Sequence, residues 1–169
     1  MKAAASIALL RIDNRLVHGQ VLEAWVPALE AQGILVADDE AAGNVLARSA
    51  MALAIPPRVK FEVLRLKDAA ELLRPSGKGP SSPRTLVLLR DVRDAAALRD
   101  AGVEVPHLNL GNVHFAAGRK QVAPSIFLDA SELETLGRLA ARGTQVEARA
   151  VPSEAPVPLE ALRARYAAA

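Results

Sequence analysis

The chain contains no cysteine, which excludes disulfides, thiol nucleophiles and thiolate-held metals. Aromatic side chains are few, with one Trp, one Tyr and three Phe, so little is available for nucleic-acid bases to stack on. Neither sign of charge dominates. There are 21 Lys and Arg against 19 Asp and Glu, a net charge of +2, and no segment reads as a basic tail. Nucleic acid is therefore not an expected partner. No apolar run approaches the roughly 20 residues that span a bilayer. Met1–Leu10 carries one Lys and no cleavage site, and reads as a first buried strand rather than a signal peptide. Nucleotide loops of the GxxxxGK and GxGxxG types are absent, so an ATP-using kinase is not supported. His18, His107 and His114 are too dispersed to argue for a metal site, and no cofactor is implied.

What remains is a chain of 169 residues, 51% hydrophobic and rich in Ala and Leu, long enough for a sizeable core. Short Val/Ile/Leu runs predict strands at Ala5–Arg11, Gly33–Ala37, Lys60–Arg65, Thr85–Leu89, His107–Leu110, Ser125–Leu128 and Gln145–Arg149, the pattern of strands covered on both faces. The last alternates Val146 and Ala148 with Gln145, Glu147 and Arg149, which predicts a half-exposed edge. Helices are expected at Gly19–Ala31, Glu40–Ala54, Lys67–Leu73, Val92–Ala101, Glu132–Arg142 and Leu159–Tyr166. Asp91 and Ser131 are the expected caps of two of them, and Asp38 and Asp39 are expected to cap another. Gly102 and Gly143 follow helices, and Pro56 and Pro57 stop one. Pro27 should cost about 3 kcal/mol inside a helix, which predicts a kink or an early end near Glu23–Val26. The segment Pro75–Pro83 reads as a polar surface loop. The alternation of elements predicts one α/β domain over residues 1–169, with an open, mostly parallel seven-stranded sheet and helices on both faces.

The chemistry concentrates in Arg11-Ile12-Asp13-Asn14-Arg15-Leu16-Val17-His18-Gly19-Gln20, between the first strand and the first helix. The carboxyl end of a parallel strand is where ligands bind, and a helix start suits an anion. Arg11 and Arg15 offer forked donors that match phosphate oxygens. His18 is placed as a nucleophile able to attack phosphorus, Gly19 permits close backbone approach, and Asp13 can orient the imidazole or hold an arginine. Bland readings stand beside these. A lone histidine at such a junction also serves as a cap or surface residue, and arginines near a helix start also pair with carboxylates. Trp25, on one face with Val21, Leu22 and Leu29, reads as core.

These residues carry a family resemblance. RIDNRLVHGQV resembles the motif of the IIB domains of the mannose/fructose/sorbose phosphotransferase family, usually RIDDRLIHGQV. ILVADDEAA, MALAIPPRVKFEV, LNLGNVHFAAGRKQV and GTQVEARAVP resemble later family segments in the same order, from about residue 6 to residue 152. The resemblance implies a cytoplasmic phosphotransferase subunit, peripheral to the membrane, without a cofactor. It implies phosphorylation of His18 by a IIA protein and transfer to a hexose brought in by membrane IIC and IID components, with Arg11, Arg15 and Asp13 as active-site residues. Asn14 departs from the usual second aspartate and makes the pocket more positive. Within LNLGNVHFAAG, Gly111 is expected to solve a backbone problem and Phe115 to pack the loop. His114 reads as a surface residue, with a phosphoryl contact as the alternative. Two other readings remain open at this stage: a regulatory phosphohistidine relay without transport, and a plain anion- or nucleotide-binding α/β domain. The sequence leaves undecided which ring nitrogen would be phosphorylated, and which sugar.

Overall fold

The computed structural model describes residues 5–75 and 82–169, so most of the Pro75–Pro83 segment lies outside the described residues. Nine strands occur among them: β1 (Ser6–Asp13), β2 (Gly33–Ala37), β3 (Lys60–Leu64), β4 (Arg84–Leu89), β5 (His107–Asn112), β6 (Lys120–Ala123), β7 (Ile126–Leu128), β8 (Gln145–Ala148) and β9 (Val157–Pro158). The α-helices are α1 (Val26–Leu29), α2 (Asp39–Ala42), α3 (Val45–Ala54), α4 (Leu66–Leu73), α5 (Val92–Asp100), α6 (Ala130–Ala141) and α7 (Leu159–Ala168), with a π-helical stretch, Val21–Trp25, leading into α1.

Seven strands form one sheet in the order β3-β2-β4-β1-β5-β8-β9. All pairs are parallel except β8–β9. The alternation of side chains along each strand divides the core in two. Leu10, Ile12, Leu35, Ala37, Val87 and Leu89 face one side with residues of α4, α5, α6 and α7. Leu9, Ile34, Val36, Leu86 and Leu88 face the other with Val21, Trp25, Val26 and Ala41. Each fully buried leucine in these layers, such as Leu10 or Leu88, contributes about 1.5–3 kcal/mol. β1 lies centrally. The connection leaving it runs to β2 on one side, while that leaving β4 runs to β5 on the other. A crevice therefore opens at the carboxyl end of β1, where ligands bind in open parallel sheets.

Several expectations need correcting. Ser125–Leu128 is not part of the seven-stranded sheet: β7 pairs antiparallel with β6 in a two-stranded sheet bridged to Val113, and the seventh strand is the two-residue β9. That pairing removes the expected edge at β8, whose Val146, Glu147 and Ala148 are buried. The helix expected over Glu40–Ala54 is two helices, because Gly43 ends α2 and the Asn44 side chain accepts from Ala47 N to start α3. Asp129, not Ser131, caps α6, in a reciprocal box with Glu132. Asp91 caps α5 and Asp38 caps α2, as read from sequence. Gly102 and Gly143 follow α5 and α6 at φ 94°. Pro27 neither ends the helix nor sits deep in an α-helix. The wider π turns end at Trp25, and Pro27 falls in the first turn of α1, where its missing N–H costs least.

Candidate functional site

β1 continues two residues beyond the predicted Arg11, to Asp13. The strand period therefore places Leu9, Arg11 and Asp13 on one face, beneath Trp25. After Asp13 the chain turns sharply, with Leu16 N–H donating to Asp13 O at 2.9 Å. Leu16 adopts φ 59°, a conformation costly for a residue with a Cβ. Burial of its side chain in the second core layer holds it there. His18 follows, and its carbonyl accepts the N–H groups of Val21 and Leu22, which starts the helix.

Asp13 is the hub. Its side chain is fully buried, and every hydrogen bond given to it comes from an arginine, the His18 ring or a neighbouring backbone amide. Oδ1 accepts from Arg15 N (3.0 Å) and Arg15 Nε (3.1 Å), and Oδ2 accepts from Arg11 Nη2 (3.1 Å) and Arg15 Nη2 (3.1 Å). His18 Nε2 lies 2.7 Å from Oδ2. Burial alone would raise the Asp13 pKa. The hydrogen bonds from His18 and Arg15 outweigh it and hold the carboxyl well below the usual carboxylate range. Asp13 is thus an ionised, acceptor-only group, so the His18 nitrogen against it must carry the hydrogen. In the neutral ring the lone pair then sits on Nδ1, the nitrogen turned away from Asp13. The His18 side chain is 17% exposed and that of Arg15 is 38% exposed, so both reach solvent beside one another.

Arg11 occupies a different place from the one expected. Its guanidinium is fully buried and turned inward. Nη1 donates to Asn109 Oδ1 (2.6 Å) and Arg149 O (3.2 Å), Nη2 donates to Asp13 and to Ala150 O (3.1 Å), and Cζ lies 5.0 Å from the centroid of the Trp25 ring. Burial lowers the Arg11 pKa, against the opposing charge and hydrogen bond of Asp13. With its Nη donors committed to protein acceptors, Arg11 is a support for Asp13 and not a group open to an incoming anion. Gly111 makes room for it, since a Cβ at that position would stand 2.0 Å from Arg11 Cζ. Gly19, by contrast, has nothing within 4 Å of the place a Cβ would occupy.

The network runs on through residues that sequence reasoning missed. Asn109 Nδ2 donates to Glu147 Oε1 (2.9 Å), which also receives Arg149 Nε (3.2 Å) and faces His107 Nε2 (3.2 Å). Burial raises the Glu147 pKa, but the hydrogen bonds from His107 and Asn109 and the Arg149 charge bring it below its ordinary value. An ionised Glu147 dictates the amide orientation of Asn109, whose oxygen is thereby aimed at Arg11. Trp25 closes this layer, donating Nε1–H to Ala150 O at 2.9 Å. Asn14 ties three loops together: Nδ2 donates to Arg90 O (2.9 Å) and Oδ1 accepts His114 N–H. A carboxylate at position 14 could not make the first of these bonds, so the departure from aspartate has a local reason. His114 itself is exposed. Phe115 packs edge-on to Phe127 but is otherwise largely exposed, so it fills the loop less than expected.

Arg15 is the cation that both holds Asp13 and faces outward, and its fork cannot be reproduced by an ammonium. Arg15→Lys is expected to slow reaction at His18 with a phosphoryl donor. It should leave the melting temperature within about 2 °C, the scale of a surface change worth about 0.5 kcal/mol. Stopped-time labelling and thermal denaturation check the two halves.

Comparison with known proteins adds an independent line. Residues 7–168 match the family model described as PTS system sorbose subfamily IIB component. The chain is 30% identical over 149 residues to the PTS system mannose-specific EIIAB component of Escherichia coli (strain K12), a match covering 88% of this chain and 45% of that protein. It therefore spans about half the length of the mannose-specific relatives it matches. It is 29% identical over 154 residues to the N-acetylgalactosamine-specific phosphotransferase enzyme IIB component 2 of the same organism, covering 91% of this chain and 96% of that one. Among solved structures, the IIBSor domain of the sorbose permease from Klebsiella pneumoniae matches with a TM-score of 0.84 at 27% identity, over 94% of this chain and 96% of that one. The manxB structure from Thermoanaerobacter tengcongensis matches with a TM-score of 0.89 at 26% identity, over 98% and 99%.

Proposed function

The chain belongs to the sorbose-subfamily IIB components of the phosphotransferase system, and from that membership we propose that it carries a phosphoryl group on Nδ1 of His18. The group comes from a IIA protein and passes to a hexose handled by membrane IIC and IID components, at the inner face of the membrane. No helix among the described residues is long and apolar enough to cross a membrane.

One observation carries the reading: His18 Nε2 is held 2.7 Å from the ionised Asp13, which leaves the lone pair on Nδ1 of a side chain that is 17% exposed. As Nδ1 bonds to phosphorus, the donor's nitrogen–phosphorus bond breaks and the donor imidazole leaves with its electron pair. The His18 ring then gains positive character, and Asp13 accepts the hydrogen bond from Nε2–H that stabilises it. Arg15 and the opening turn of the helix supply positive potential to the equatorial oxygens. Arg11 acts at one remove, by fixing Asp13. Phosphoryl transfer needs alignment and charge neutralisation more than covalent assistance, and these residues provide both without a nucleotide loop.

Incubation with a phosphorylated IIA protein is expected to give an acid-labile, base-stable label on the chain. His18→Ala should carry none. Equal labelling of that variant would place the phosphoryl group elsewhere and overturn the reading.

A further inference from the structure

The helix α3 is anomalous for a helix packed on a sheet. None of its ten residues is fully buried, and Arg48 is its single charged residue. Ala47 and Met51 turn partly inward. Val45 is 68% exposed, Leu46 80% and Leu53 89%. Leu46, Ala50 and Leu53 follow at i, i+4 and i+7, so they form one apolar stripe open to solvent. Contiguous exposed apolar surface of this kind marks an interaction site.

The helix that carries this stripe adjoins the site described above through its neighbouring face. Asn44, Ala47 and Met51 line a cleft of about 290 Å³ together with Asn14, Arg15 and Arg90. On another side of the same turn, the hydrogen bond from His114 N–H to Asn14 holds the loop that carries Phe115, 71% exposed. α3 and the loop after β5 thus both adjoin the turn that carries Arg15 and leads to His18, across a cleft that Glu40 and Arg90 also line.

We infer that Leu46 on α3 and Phe115 on the loop after β5 anchor the phosphorylated IIA donor as it docks over His18. The inference rests on the phosphotransfer reading and says which surface serves it. A donor phosphohistidine must come within about 3.5 Å of Nδ1. A protein brought that close, with a standard footprint of about 800 Å², also covers the elements that touch the catalytic turn directly. α3, across the cleft from Arg15, and the Phe115 loop are two of the elements around that turn, beside the Arg90 loop that Asn14 also contacts. Charge agrees with this occupant: the doubly negative phosphoryl group meets Arg15, 38% exposed, while Arg90 is paired with Asp38 and the surrounding surface offers uncharged anchors of the kind that dominate interface energetics.

The test compares two donors. Leu46→Ser and Phe115→Ser are each titrated with the phosphorylated cognate IIA protein and, in parallel, with phosphoramidate, a donor too small to need a docking face. Each variant is expected to raise the KM for the IIA donor about ten-fold, with kcat and labelling by phosphoramidate unchanged. An unchanged KM overturns the inference, as does an equal loss with both donors, which would mean a distorted site. A variant with normal IIA kinetics but impaired sugar phosphorylation in membranes would assign the face to a membrane partner. Normal kinetics with altered self-association by light scattering would assign it to a second copy, and either result overturns the inference. If the unaltered chain takes no label at His18 from either donor, the phosphotransfer reading itself fails and the docking face fails with it.

Discussion

Asp13→Asn is expected to lower the rate of His18 phosphorylation by about 10³–10⁴-fold, the scale seen when a buried carboxylate that orients a reactive imidazole is replaced by its amide. The substituted amide can turn its nitrogen toward the ring, and Nε2 would then have to accept. The hydrogen moves to Nδ1, and the lone pair the reaction needs is lost. A stability effect accompanies the chemical one. Arg11 is fully buried and its charge rests on Asp13, so neutralising the partner leaves an uncompensated buried cation at a cost of about 3–5 kcal/mol. Single-turnover labelling, performed well below the variant's own melting temperature, separates the two. A folded Asp13→Asn protein that labels at the normal rate would deny Asp13 any part in the chemistry.

Gly111→Ala carries the largest expected effect among changes that replace no ionisable residue. The added methyl would stand 2.0 Å from Arg11 Cζ and 2.1 Å from Nη2. That guanidinium cannot retreat, because it is hydrogen-bonded to Asp13, Asn109, Arg149 O and Ala150 O with Trp25 stacked on it. Overpacking of this severity should cost about 3 kcal/mol or more and should misplace Asp13, so phosphorylation falls along with stability. Gly19→Ala is the internal comparison. It has open space and should shift stability by no more than about 0.5 kcal/mol. Denaturant titration of both variants checks the contrast, and similar stabilities for the two would contradict the packing argument.

The layers of this fold were legible because strands buried on both faces are written as short aliphatic runs, and β2 matches its expected bounds, Gly33–Ala37. The candidate site stretch drew attention in the sequence because its residues are contiguous. What was not legible is what lies far apart in the chain. Asn109, Glu147, Arg149 and Ala150 form one network with Arg11, whose own bonds within it span 98 to 139 residues, and no local pattern announces that meeting. β9 was missed because two residues ending in proline carry no strand period. The inward turn of Arg11 did have a signal. Extending β1 by one alternation puts Arg11 and Asp13 on one face of a strand with neighbours on both sides, and such a position has no route to solvent.

The most direct measurement is nitrogen-15 and phosphorus-31 NMR of the phosphorylated protein with labelled histidine. The expected result is a single phosphorus–nitrogen bond at His18 Nδ1, with Nε2 still protonated and hydrogen-bonded to Asp13. Phosphorus on Nε2 of His18, or on any other residue, would contradict it.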